Sequence, residues 1–266
     1  MRRLLVIALF FIATASFAGV VQPLGAAPQV LIPAAGSTAG ANGTFFHSDI
    51  SIINLATHDQ AVLLQWLPQA GTGSNMTNTF TLPARSGIRS ADFVHDYLNT
   101  TGLGSIIISG TTAGGDADAT ATLYVNSRIW TQQPNTNGTT SQSFPAIPLN
   151  TINTQVAALF AVGGPDNSAN YRVNVGIVNV DPNNTQTFVV QVPQAGGNPQ
   201  AFIVTVPPMS MQQLALGNNT QPSTQVNIQN ATATATRSNL WTAYSSTVDN
   251  ITGDAWSEMA VAGTTQ

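Results

Sequence analysis

Phe46-His47-Ser48-Asp49-Ile50-Ser51-Ile52-Ile53-Asn54 and Tyr171-Arg172-Val173-Asn174-Val175-Gly176-Ile177-Val178-Asn179 decide the fold. Both open on an aromatic residue, alternate apolar with polar or small positions, and close on Asn. A period of two marks a strand with one buried face. It turns Ile50, Ile52 and Asn54, like Val175, Ile177 and Asn179, toward a core, and His47, Asp49 and Ser51 toward water. The correspondence runs on from there. Leu67-Pro68-Gln69-Ala70-Gly71 falls on Val192-Pro193-Gln194-Ala195-Gly196, and after a one-residue slip Thr81-Leu82-Pro83 falls on Thr205-Val206-Pro207. Ile106 and Ile108 then match Val226 and Ile228, and Tyr124 matches Tyr244. Repetition on this scale predicts two copies of one unit. The first spans 28–131 and the second 151–266, with the Gln-, Asn-, Thr-, Ser- and Pro-rich segment Gln132 to Asn150 as a linker.

Each copy reads as short β-branched runs parted by Gly, Asn, Pro and Asp clusters. Seven strands are expected in the first, from Val30 to Ile32 through Thr120 to Trp130, and as many in the second, followed by a last strand near Trp256 to Val261. The expected fold is all-β, two tandem antiparallel β-sandwich units of immunoglobulin-like type related by internal duplication. One helix is predicted over Asp92 to Leu98, capped by Ser90 and stopped by Asn99 and Gly102.

The 266 residues carry only 7% charged side chains, a net charge of -4 and no Cys. Lysine is absent, and Glu258 is the one glutamate. Solubility therefore rests on Thr, Asn, Gln and Ser, and stability on packing without disulfides. Arg2 and Arg3 ahead of the apolar run Leu4 to Ile12 predict a secretory signal peptide within residues 1–27, cut near Ala18 or Ala27. That run is too short for a membrane span. With no basic patch to neutralise phosphates, a nucleic-acid partner is not expected.

The Phe46 to Asn54 pattern, Asp92 to Ser109 with its Gly102-Leu103-Gly104, the strand Asn126-Ser127-Arg128-Ile129-Trp130 and the closing Ser246 to Asp254 segment together resemble a tandem β-sandwich module of secreted bacterial proteins. That module often sits at the C-terminal end of exported proteases and other surface proteins. The resemblance spans nearly all of the mature chain. It implies a secreted accessory or binding role, with no catalytic residues to carry over.

The residues themselves offer little catalytic chemistry. His47, His58 and His95 have no metal-ligand spacing, and neither a phosphate loop nor a nucleophile elbow is present, so no cofactor or metal is expected. His95 and Asp96 are helix neighbours that diverge by about 100°. Asp116 with Asp118 after Gly114-Gly115 reads as a turn rather than a glycosidase pair. Asp92 with Asp96 is the other close pair. A hydrolase using paired Asp is thus the weakest reading. Asp249, Asn250, Thr252 and Asp254 around Gly253 read as a hairpin turn rather than a calcium loop.

Two surface hypotheses compete. The repeat alignment leaves Trp66, opposite Gln191, pointing outward, and Tyr124 and Trp130 alternate onto one strand face. If the strands share a sheet, Trp66, Tyr124 and Trp130 form an aromatic platform for an extracellular glycan or protein. Alternatively Asp49 pairs with Arg128, since the aligned Asn174 and Val248 lose both charges together. The pair requires the Asp49 and Arg128 strands to be neighbours, whereas the immunoglobulin-like order that builds the platform puts those two in opposite sheets. The leading function is a secreted, non-enzymatic binding or adhesion protein. The alternative is a structural protein that self-associates through sheet edges unguarded by Lys, such as Ala231 to Thr236.

Overall fold

The computed structural model describes residues 25–40, 43–133, 136–152, 156–163, 170–194, 197–217, 224–232 and 240–262. Residues 1–24 of the predicted signal segment 1–27 and residues 233–236 of the proposed edge lie outside them.

The first half contributes β1 (Gln29–Ala39), β2 (Phe45–Asn54), β3 (Gln60–Pro68), β4 (Met76–Leu82), β5 (Gly87–Ser90), α1 (Phe93–Leu98), β6 (Gly102–Thr111), β7 (Leu123–Gln132), β8 (Thr139–Pro145) and β9 (Ile147–Pro148). The second contributes β10 (Val156–Val162), β11 (Tyr171–Asn179), β12 (Gln186–Val192), β13 (Gln200–Val206), β14 (Ser210–Gly217), β15 (Thr224–Asn230), β16 (Trp241–Asp249), β17 (Ala255–Met259) and β18 (Val261–Ala262). Every named strand pairing is antiparallel.

Strand order is the same in both halves. In the first, β4-β3-β6-β1 carries β9 on β1, and β2 pairs with β5 and β7, with β8 beyond. In the second, β13-β12-β15-β10-β18 faces β14-β11-β16-β17. β1 joins the two layers of the first half by pairing Thr38 and Ala39 with Phe46 and Phe45. Ile50, Ile52, Val62, Leu64, Ile106, Ile108, Leu123 and Val125 fill the space between those layers. Val175, Ile177, Phe188, Val190, Val226, Ile228, Trp241 and Ala243 do so in the second half. The architecture is all-β and sandwich-like.

Asn54 and Asn179 show why both β2-type strands end on Asn. Asn54 Nδ2 donates to the carbonyls of His58, Leu82 and Pro83, and its Oδ1 accepts from the Ala56 N–H. Asn179 Nδ2 donates to the carbonyls of Asn184, Val206 and Pro207, and its Oδ1 accepts from Asp181. Each buried amide thus ties two loops together and satisfies backbone groups that water cannot reach.

Gln132 to Asn150 is not a free linker. It holds β8, which pairs with β7 from Asn126↔Pro145 to Gln132↔Thr139, and β9, which pairs with Val30 and Leu31. Thr139-Thr140-Ser141-Gln142-Ser143 has no apolar alternation. Its buried positions are Gln142 and Phe144, and one of those is polar. Helix α1 starts one residue later than expected, and Asp92 makes no side-chain cap bond. Ser90 Oγ instead accepts from the Asp92 N–H and donates to Asp96. Asn99 ends the helix in the left-handed region at φ 49°.

A third apolar cluster spans both halves. Leu31, Ala34, Leu67, Ile107 and Phe144 from the first pack with Val178, Val180, Met211 and Tyr244 from the second. Polar bonds cross beside it. Asn75 Nδ2 donates to the Met209 carbonyl, Ser246 Oγ to Gln142 Oε1 at 2.8 Å, Gln142 Nε2 to the Trp256 carbonyl, and Ser257 Oγ to the Ser143 carbonyl. Among the described residues no helix is long and apolar enough to cross a membrane.

Candidate functional site

Trp66 does not point outward. It is 2% exposed and belongs to the first core, below Gly104, where an added Cβ would lie 2.5 Å from its ring. β3 starts six residues after Asn54, whereas β12 starts seven after Asn179. One extra loop residue shifts the alignment of these strands and reverses every face. Gln60, Val62, Leu64 and Trp66 are buried as Gln186, Phe188, Val190 and Val192 are. The aromatic platform therefore loses Trp66.

Tyr124 and Trp130 do share the outer face of β7, opposite Ile53 and His47 of β2. The Trp130 ring stacks on His47 at 4.9 Å between centroids, and its Nε1 donates to the Ala91 carbonyl at 2.8 Å. His47 Nδ1 lies 2.7 Å from Asp92 Oδ2, which also accepts from Ser37 Oγ. This aromatic group is already engaged with its own neighbours.

β2 and β7 are adjacent, so Asp49 meets Arg128, with Arg128 Nε 2.9 Å from Asp49 Oδ2. Arg89, which pure alternation did not single out, completes the group by placing Nε and Nη2 2.8 and 2.6 Å from the two carboxylate oxygens. The Arg89 hydrogen bond, opposed by burial and aided by Arg128, holds the Asp49 carboxyl below the ordinary aspartate range. The position equivalent to Arg128 is Ser246, not Val248, because Asp49↔Arg128 and Asn174↔Ser246 are the matching pairs. By the same register Tyr244 corresponds to Asn126 rather than to Tyr124.

Two further carboxylates accept bonds from their own turns. Asp118 accepts from the N–H and hydroxyl of Thr120, and Asp249 from the Ile251 N–H and Thr252 hydroxyl. Those bonds hold both below the ordinary aspartate range. His95 Nδ1 does reach Asp96 Oδ1, at 3.1 Å, but both side chains lie on the open face of α1. The sequence spacing alone argued against that contact.

Between the halves, beside the third apolar cluster, opens a cavity of about 970 Å³. This is near the top of the range of roughly 300–1,000 Å³ for small-molecule sites. Phe46, Leu103, Ile129 and Phe144 give it apolar wall, while Thr38, Gln69, Thr131, Asn174 and Gln213 give it uncharged hydrogen-bonding groups. Among the described lining residues Arg172 and Asp249 are the charged ones. Arg172 Nη1 donates to Asn250 Oδ1, and the protein around it lowers its pKa by desolvation although solvent still reaches the side chain. Periodicity within one strand cannot reveal such a site, because it is made by residues from both halves.

No protein-family model matches the chain, and a search of curated proteins returns no match.

Proposed function

We propose that this chain is exported through the signal peptide in its first 27 residues and acts without catalysis, binding an extracellular glycan in the cleft between two immunoglobulin-like sandwiches. The two sandwiches are copies of one duplicated unit. The repeated strand order and the paired Asn54 and Asn179 networks support that history. The cleft carries the functional reading. Its size, partly apolar wall and ring of Thr, Gln and Asn suit a ligand that presents sugar-ring faces and many hydroxyls. The polar, lightly charged surface suits an extracellular protein.

Glycan-array binding of the exported protein tests this. Saturable binding to a glycan is expected, together with its loss in Ala39→Trp, which places an indole on the exposed cleft margin. Binding that survives this substitution, or no binding to any glycan, would overturn the assignment.

A further inference from the structure

We infer that the cleft selects a saccharide bearing a carboxylate, and that Arg172 is the residue that holds it; this rests on the glycan reading above. Arg172 stands on β11 opposite Val248, facing the cleft with Asn174. The equivalent first-half position is His47, whose ring meets the Asp92 carboxylate at 2.7 Å. Arg172 has no such carboxylate partner among the described residues. Its printed hydrogen bond goes to the neutral amide of Asn250.

The other charge in the cleft does not answer it. Asp249 turns both oxygens to its own hairpin, Oδ1 to the Ile251 N–H and Oδ2 to the Thr252 hydroxyl, at 2.8 and 2.7 Å. A guanidinium has five N–H donors in a planar fork. Arg172 is on the exposed side of its strand and lines the cleft, so an anion in the cleft can reach that fork. A carboxylate accepts two parallel N–H bonds from that fork, and a bond between ions is stronger than a neutral one. The uncharged Asn174, Gln213 and Gln69 lining the same space are suited to the hydroxyls beside the acid group. A neutral sugar would leave the guanidinium unanswered.

Calorimetric titration of the exported protein with three probes tests the inference: trigalacturonate, its methyl ester, and acetate as a free carboxylate. Trigalacturonate is expected to bind roughly 10-fold tighter than the ester. Arg172→Gln should weaken trigalacturonate binding about 10-fold, to the level of the ester, and acetate should not displace trigalacturonate. Equal binding of acid and ester by the native protein would overturn the inference and leave the glycan cleft standing. So would an acid preference that survives Arg172→Gln. Displacement by acetate would reassign the site to small carboxylates. Binding of neither saccharide would overturn the inference, and the glycan array decides whether the cleft reading falls with it. Should Arg172→Gln fail to fold, Arg172→Met takes its place, and an unchanged acid preference in that uncharged variant overturns the inference as well.

Discussion

The outer face of β14-β11-β16-β17 and that of β5-β2-β7-β8 occupy the same position in their two halves, yet one is dry and the other wet. In the second half Gly176, Val178, Met211 and Tyr244 are buried on this face. In the first, the equivalent Ser51, Ile53, Gly87 and Asn126 are half-buried or exposed. Ser246 becomes Arg128 and Gln213 becomes Arg89, and these two arginines enclose Asp49. The side chains on these faces differ while the strand order beneath them is the same. Gly176 makes room for the docked ring: Tyr244, its neighbour on β16, lies where a Cβ would be, 2.1 Å from it, and meets Phe144 of the first half edge-on. Tyr244 gives up water for this contact. Among the described residues its hydroxyl has no hydrogen-bond partner, and burial raises its pKa.

The largest effect expected from this contrast comes from the matched substitutions Gly176→Val and Ser51→Val. The first drives a side chain into the Tyr244 ring and should cost about 3 kcal/mol. The second adds methyl groups to a half-exposed position and should stay within about 0.5 kcal/mol. Chemical denaturation of both proteins checks this, and equal losses would erase the distinction between the faces. A middle-sized effect tests the shared skeleton instead. Asn54→Ala and Asn179→Ala each strand buried carbonyls and should each cost about 2 kcal/mol by the same measurement. A marked inequality would break the equivalence on which the comparison stands.

The smallest effect is expected from the wet face and depends on pH. Asp49 has a folded pKa below its unfolded value, so its contribution is present above the unfolded pKa, about 3.9. It is lost as pH falls through the lower folded value. Asp49→Asn should therefore remove part of the acid-side decline in melting temperature and leave the profile above that range parallel to the native one. An unchanged acid limb would show that the two arginines add nothing to stability, as many exposed ion pairs do not.

The alternation in Phe46 to Asn54 makes its core side legible, but Asp49, expected in water, is 6% exposed beneath Arg89 and Arg128. The Asn at its end was visible as a repeated residue, though its three carbonyl partners were not. They come from loops that only the folded chain brings together. Trp66 was misplaced by a single loop residue, since a slip of one exchanges the two faces of a strand. β8 was missed because its buried Gln142 is held by Ser246 and the Trp256 carbonyl of the other half, a polar burial that local hydrophobicity does not signal. Of Trp66, Tyr124 and Trp130, the last two share a face of β7, and none of the three lines the cleft.

By itself the sequence determined the all-β class, the strand spacing and the core alternation of β2 and β11, since these depend on interactions within a few residues. Tertiary structure alone decided which strands are neighbours, which equivalent face is dry, and where Arg172 stands. Those outcomes depend on contacts between residues far apart in the chain, and their energies appear only when two surfaces meet and exclude water.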